Sequence, residues 1–167
     1  MVNKTTQNMK DICINLLNER GVTIDDIIDI VFDLQKKYVP HLTREICNEA
    51  IGRVLGKREV QNAILTGVEL DMLAEKNMLS EPLQTLISTD NPLYGIDEIL
   101  VLSICNVYGS IGLTNFGYVD KMKPGIIGKL DHMGKETNKC HTFMDDIIGA
   151  IAAAAASSVA HNAEEDM

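Results

Sequence analysis

CHTFMDDIIGAIAAAAASSVAH, residues 140–161, is the stretch whose reading decides the fold. Alanine is the strongest helix former and nothing breaks the run, so the segment reads as a helix. Between Ile147 and Ala160 only Ser157 and Ser158 are polar. A helix that is apolar all round is enclosed all round. Yet it opens on two adjacent acids, Asp145 and Asp146. An ionised carboxylate out of water costs several kcal/mol unless paired, against the about 0.3–1 kcal/mol that a helix dipole returns.

Ile96 to Tyr108 (IDEILVLSICNVY) repeats this pattern, with Asp97 and Glu98 in the first turn. Neighbouring helical residues point about 100° apart, so at least one acid of each pair should face a shared polar cavity. For either helix alone, an ordinary explanation competes: first-turn acids complement the dipole, and Thr142 with Asp145 has capping-box spacing.

The remaining segments have helical period and none alternates at period two. Met9, Ile12, Cys13, Leu16 and Leu17 form one stripe. Thr23 caps a second helix with Ile24, Ile27, Ile28, Val31 and Leu34 inward and Asp25, Asp26, Asp29 and Asp33 in water. Further helices follow Thr43, cover roughly 59–76, and start near Pro82. Glycines at 109, 112, 117, 125 and 128 predict turns and close backbone approach, and DHMGKETNK (131–139) a polar loop. The expectation is an all-α, multi-helix bundle with two apolar central helices surrounded by amphipathic helices. It is one domain over 1–167: outer helices in 1–90, the site region in 91–161, and an acidic tail, frayed, in 162–167.

The net charge of −9 and the lack of a basic patch argue against a nucleic-acid partner. Ile147–Ala160 is the longest unbroken apolar run, short of the about 20 residues a span requires. The first ten residues carry no apolar signal core, and the cysteines form no CxxC pair. A cytoplasmic protein is expected, with at most peripheral membrane contact. The generous apolar content is compatible with a homo-oligomer.

Between the two apolar helices, YVDKMKP (118–124) adds Asp120, Lys121 and Lys123. Carboxylates with nearby lysines suit magnesium and phosphate, because magnesium takes oxygen ligands and lysine supplies point charges. A solvated loop is the competing reading for the lysines. Asn115 is a candidate for orienting substrate, with a turn residue as its default.

YGIDEILVL (94–102), GYVDKMKPGII (117–127) and CHTFMDDIIGAIAAA (140–154) resemble, in order and spacing, three signature blocks of the phosphatidylglycerophosphatase A family. The resemblance is closest to a soluble Bacillus-type branch, where it extends to LGKREVQNAILTG (55–67). It implies a magnesium-dependent phosphatase converting phosphatidylglycerophosphate to phosphatidylglycerol. Asp97, Glu98, Asp120, Asp145 and Asp146 then become metal-site candidates, Lys121 and Lys123 phosphate binders, and Asp97 or Asp145 the base. The chain lacks the tryptophans and long apolar spans of the membrane-embedded members, so a lipid headgroup and a soluble phosphomonoester both stay open. Two other readings compete: an all-α nucleotide pyrophosphohydrolase, and a non-catalytic helical oligomeric module whose acids are only caps. The module predicts that Glu98, Asp120 and Asp145 lie far apart.

GSIGLTNFG (109–117) lacks the GK[ST] ending of a phosphate loop. Cys140, His141 and His132 fit no zinc spacing. His41 and His161 read as surface residues.

Overall fold

The computed structural model describes residues 2–165, and every regular element among them is helical. In chain order these are α1 (Val2–Glu19), α2 (Ile24–Gln35), α3 (Arg44–Leu55), α4 (Arg58–Glu75) and α5 (Leu83–Ser88). They are followed by α6 (Ile96–Cys105), a 3-10 turn at Asn106–Tyr108, α7 (Gly109–Met122), α8 (Ile126–Glu136) and α9 (Met144–Glu165). The all-α multi-helix bundle expected from periodicity is the observed fold.

α9 is the axis. Every residue from Phe143 to Val159 is buried, and α2, α3, α4, α6, α7 and α8 all pack on it. Small side chains permit this crowding. A Cβ on Gly149 would lie 3.4 Å from Val119, and one on Gly67 of α4 would come to 2.7 Å of Ile147. α2 starts as its sequence indicates: the Thr23 side chain accepts from the Asp26 N–H, and Asp26 accepts in return from the Thr23 N–H.

α9 begins inside the protein, where its first N–H groups cannot reach water and need acceptors. Local capping does not supply them. The Thr142 hydroxyl donates instead to the Ile87 carbonyl (2.6 Å). The acceptor is Asp71 on α4, fully buried, whose carboxylate takes the Phe143 N–H (3.1 Å) and the Met144 N–H (3.0 Å). Four residues on, Glu75 accepts the Cys140 N–H (2.8 Å) and pairs with Arg20 (2.6 Å), which also donates to the Cys140 carbonyl (2.7 Å). The capping box read at Thr142 and Asp145 is therefore replaced by a cap delivered from another helix.

Three further expectations are corrected. The glycine-rich stretch is helical as α7 and α8, and α8 absorbs the first part of the supposed loop, Asp131–Glu136. Its glycines do what was expected of them: Gly109 (φ 73°) and Gly125 (φ 57°) stand at turns, while a Cβ on Gly112 would stand 2.8 Å from the Cys105 carbonyl and one on Gly128 2.7 Å from that of Lys123. At the other end, the helix runs through His161 to Glu165, so the frayed tail is absent as far as the described residues reach. Third, the second apolar helix is enclosed on one side only. α6 buries Val101, Ile104 and Cys105, but Ile99 is 62% exposed, and Ile96 and Leu102 are exposed with it, as are Tyr118 and Met122 of α7. α4, α7 and α9 pack on one face of α6, and no described element covers the other.

Ile96–Met122 taken together is long and apolar enough, by length and composition, to cross a membrane. It nevertheless turns at Gly109, where φ is 73°, and buries Val101, Ile104, Phe116 and Val119 in the core.

Removing the α9 acceptor strands buried donors. Asp71→Ala should lower the unfolding free energy by on the order of 2–4 kcal/mol. Thr23→Ala at the exposed α2 cap should cost only about 1 kcal/mol. Urea denaturation of both variants checks the ranking, and equal losses would show that Asp71 is not the anchor of α9.

Candidate functional site

With its first turn fixed by Asp71, α9 places Asp145 and Asp146, each less than 10% exposed, at one end of the bundle. The left-handed Lys123 (φ 46°) ends α7 and turns its ammonium toward them. Lys123 Nζ donates to Asp145 Oδ2 (2.8 Å) and to Asp120 Oδ1 (2.9 Å). Asp145 Oδ1 accepts the Asp146 N–H (2.9 Å).

Electrostatics show how tight the grouping is. Burial pushes the Asp145 carboxyl up, and Lys123 pulls part of that back. Burial pushes Asp146 further, and the neighbouring charges of Asp145, Asp120 and Asp97 add to the rise. Burial works against the Lys123 charge, but Asp145 and Asp120 outweigh it and hold the ammonium protonated far above the usual lysine range. Asp97, in the first turn of α6, has Oδ1 buried without any hydrogen-bond partner.

The structure therefore brings Asp97, Asp120, Lys123, Asp145 and Asp146 into one electrostatic neighbourhood. It does not bring in the other candidates equally. Glu98 and Lys121 are exposed, with no hydrogen bond or ion pair among the described residues, because each sits one residue, hence about 100°, away from an inward neighbour. Asn115 is half-buried on α7, and its Nδ2 has no partner.

Several residues escaped the sequence reading. Asp71 lies on the apolar stripe of α4, in register with Val60, Ile64, Gly67, Val68 and Ala74. An acid at a core position was the available signal. Burial pushes its carboxyl up while Phe143 and Met144 pull it back. The surrounding contacts are all donors, including Cys140 Sγ, so the geometry fits an ionised carboxylate. Arg20, the residue after α1, had no such signal until the fold brings it to Cys140. Asp90, after α5, has φ 47°, and burial, then Asp97 and Asp131, push its carboxyl up.

A cavity of about 320 Å³ opens beside Asp145, walled by Asp90 after α5, by Asp131 and Lys135 of α8, and by Lys139 and His141. Burial, followed by the Arg20 charge, lowers the His141 imidazole to about 4, so it is neutral at physiological pH.

The donor chemistry fits a hard divalent cation. The candidate ligands are carboxylate oxygens, and one of them, on Asp97, is buried and unpartnered. Among the described residues, though, no three His, Cys, Asp or Glu side chains are drawn together closely enough to hold an ion as they stand. The Lys123 ammonium occupies the space between Asp120 and Asp145.

The family model described as Phosphatidylglycerophosphatase A matches residues 22–161. The Bacillus subtilis protein YutG is 60% identical over 147 residues, covering 88% of this chain and 87% of its own. The crystal structure of YpjQ from Bacillus subtilis, 56% identical, superposes with a TM-score of 0.91 over 97% of this chain and 99% of that one. That of the low temperature requirement C protein from Listeria monocytogenes, 57% identical, gives 0.88 over 92% of this chain and 96% of that one.

An acid whose carboxyl is raised by folding stabilises the native state below its unfolded value, about 4, and loses that stabilisation as pH rises through the folded value. Asp146 should thus make the metal-free protein progressively less stable from mildly acidic to alkaline pH. Asp146→Asn should flatten this slope and raise stability at pH 8 by about 1–2 kcal/mol, a few degrees in Tm. Calorimetric melts of both proteins from pH 5 to 9 check it; parallel slopes would refute it.

Proposed function

Because the chain belongs to the phosphatidylglycerophosphatase A family, we propose that it removes the terminal phosphate of phosphatidylglycerophosphate in a magnesium-dependent reaction. The observation that carries this reading is the convergence of Asp120 and Asp145 on one lysine ammonium, with Asp97 and Asp146 alongside. A module whose acids serve only as helix caps gives no reason for acids of α6, α7 and α9 to meet.

On this reading Asp97, Asp120, Asp145 and Asp146 hold the magnesium, with Glu98 able to join only from the rim. Once bound, magnesium supplies positive charge that polarises the phosphoryl group and acidifies water. Asp145 or Asp97 accepts the proton of the attacking water. The water oxygen bonds to phosphorus, the bond from phosphorus to the ester oxygen breaks, and the leaving alcohol oxygen takes up a proton. The carboxylate that took the proton from water is placed to return it to that oxygen. Lys123, now between Asp120 and Asp145, would donate to the phosphoryl oxygens, with Lys121 and Asn115 bordering the bound group.

The exposed apolar side of α6 and α7 supports the lipid form of the substrate. Ile96 and Ile99 flank Asp97 in sequence, and Tyr118 and Met122 flank Asp120. Aliphatic surface next to a phosphate site suits a phosphorylated lipid whose chains stay in an apolar phase.

Phosphate release from phosphatidylglycerophosphate in detergent micelles, with and without magnesium, tests the proposal beside glycerol 3-phosphate as a soluble monoester. Asp97→Asn and Asp145→Asn should each lower kcat by about a hundredfold or more while helical circular dichroism is kept. Ile99→Asp should reduce turnover in micelles more than turnover of glycerol 3-phosphate. Full activity in both carboxylate variants would sink the assignment.

A further inference from the structure

The exposed side of α6 and α7 runs well beyond the carboxylates. The two helices form a hairpin laid along α9. Asp97 and Asp120, at its open end, both bear on Asp146, while the turn between the helices meets Ser157, whose hydroxyl donates to the Tyr108 carbonyl (3.1 Å). From Ile99 and Tyr118 the apolar surface continues through Leu102, Val107, Ile111 and Leu113 to the turn, each of these four more than a third exposed. Scattered apolar side chains are normal on a protein surface, but a continuous patch larger than a few hundred Å² marks a contact. With Ile96 and Met122 this one exposes on the order of 800 Å², which is what each partner of a standard protein interface buries.

Charge says what fits the patch. From Ile99 to Val119 the sequence holds no charged residue. Interface cores are depleted in charge, and their rims keep it. Here the rim carries Glu98 on α6 and Lys121 on α7, both exposed at the open end of the hairpin, and neither ion-paired among the described residues. That placement is self-complementary. A two-fold axis running along the hairpin, in the plane of the patch, lays α6 of each copy on α7 of the other. It sets Glu98 of one copy opposite Lys121 of the other, twice over. A two-fold axis across the hairpin would place α6 on α6 and leave all four charges unpaired. An anionic lipid surface attracts one of these side chains and repels the other, so the rim favours a second copy over a membrane as the partner in water.

We propose that in water this face is the interface of a homodimer, in which two α6–α7 hairpins form a four-helix bundle about an axis along the hairpins, with reciprocal Glu98–Lys121 pairs at the open end. The dimer stands on the patch and its charges and does not rest on the phosphatase reading. The lipid contact proposed above uses side chains that the second copy covers, so a lipid surface and the second copy exclude each other. The dimer is then the form in water, and the single chain the form that meets lipid.

Sedimentation equilibrium of the full chain tests this. The wild-type protein should have the mass of two chains, with a Kd in the micromolar range or tighter. Leu113→Asp, at an exposed position remote from the carboxylates, should raise that Kd at least about a hundredfold while helical circular dichroism is kept. Glu98→Lys and Lys121→Glu should each weaken association about tenfold, because each sets like charges opposite one another. An equimolar mixture of these two variants should recover the wild-type affinity, since every mixed pair again places lysine opposite glutamate. A wild-type protein with the mass of one chain at about 100 µM overturns the proposal, as does a dimer that Leu113→Asp leaves intact. A mixture that associates no more tightly than either variant alone overturns the two-fold arrangement. In dodecyl maltoside micelles the wild-type protein should fall to one chain per micelle. A dimer that persists there upholds the interface and removes the lipid contact from this face. Loss of phosphatase activity would leave every one of these masses unchanged, so the two readings fail separately.

Discussion

The carboxylate of Asp71, set against the N–H groups of Phe143 and Met144, lets a helix start in the middle of a protein. Helix N-termini usually sit at the surface, where water or a local side chain satisfies the free donors. α9 has neither option, since every residue from Cys140 to Val159 is buried. Asp71 takes the donors, Glu75 and Arg20 bind the strand leading in, and Ile87 receives the Thr142 hydroxyl. This fastening leaves the next two residues, Asp145 and Asp146, with no freedom to swing into solvent. The position of the acids follows from the anchoring of the helix behind them.

Their charge must then be balanced on the spot. Among the described residues only one cation, Lys123, reaches Asp145 and Asp120, so the neighbourhood of Asp97, Asp120, Asp145 and Asp146 carries more acid than base. The excess is met by holding protons, which is why burial and mutual repulsion push Asp145 and Asp146 upward. A phosphate dianion could not approach such a cluster unaided. Oxygen-rich and short of positive charge, the cluster has the donor chemistry that the divalent cation proposed above would require.

Much of this was legible in the residues. The alanine-rich run showed that one helix had to be enclosed, and the adjacent acids showed that a polar site had to sit at its mouth. The sequence failed where the deciding fact was three-dimensional. The glycines at 109 and 125 mark turns and those at 112 and 128 close backbone approach, but which glycine does which was visible only in the fold. α6 looked as enclosed as α9 because composition records apolarity without recording what covers it. Arg20 and Glu75 could not be tied to Cys140 by any local pattern, being 120 and 65 residues away from it in sequence. Glu98 was indistinguishable from Asp97 until the helix phase showed which of them faces inward.

The uncovered face of α6 and α7 bears on how a chain of net charge −9 would meet the lipid substrate proposed above. Repulsion from an anionic bilayer acts through the acids that come within a Debye length, about 10 Å, of its surface. The exposed acids of α2, Asp25 and Asp29, are turned to Arg44, and α2 packs on α9 and α3, whereas α6 packs on α9, α4 and α7. Different sides of α9 thus carry the acidic face and the apolar one. Ile96, Ile99, Tyr118 and Met122, each about half exposed, would together gain on the order of 4 kcal/mol on entering an apolar phase. On the lipid reading proposed above, a gain of that size would seat the protein on a micelle or bilayer reversibly. Contact driven by apolar area in this way would persist at high salt, whereas contact driven by charge would not.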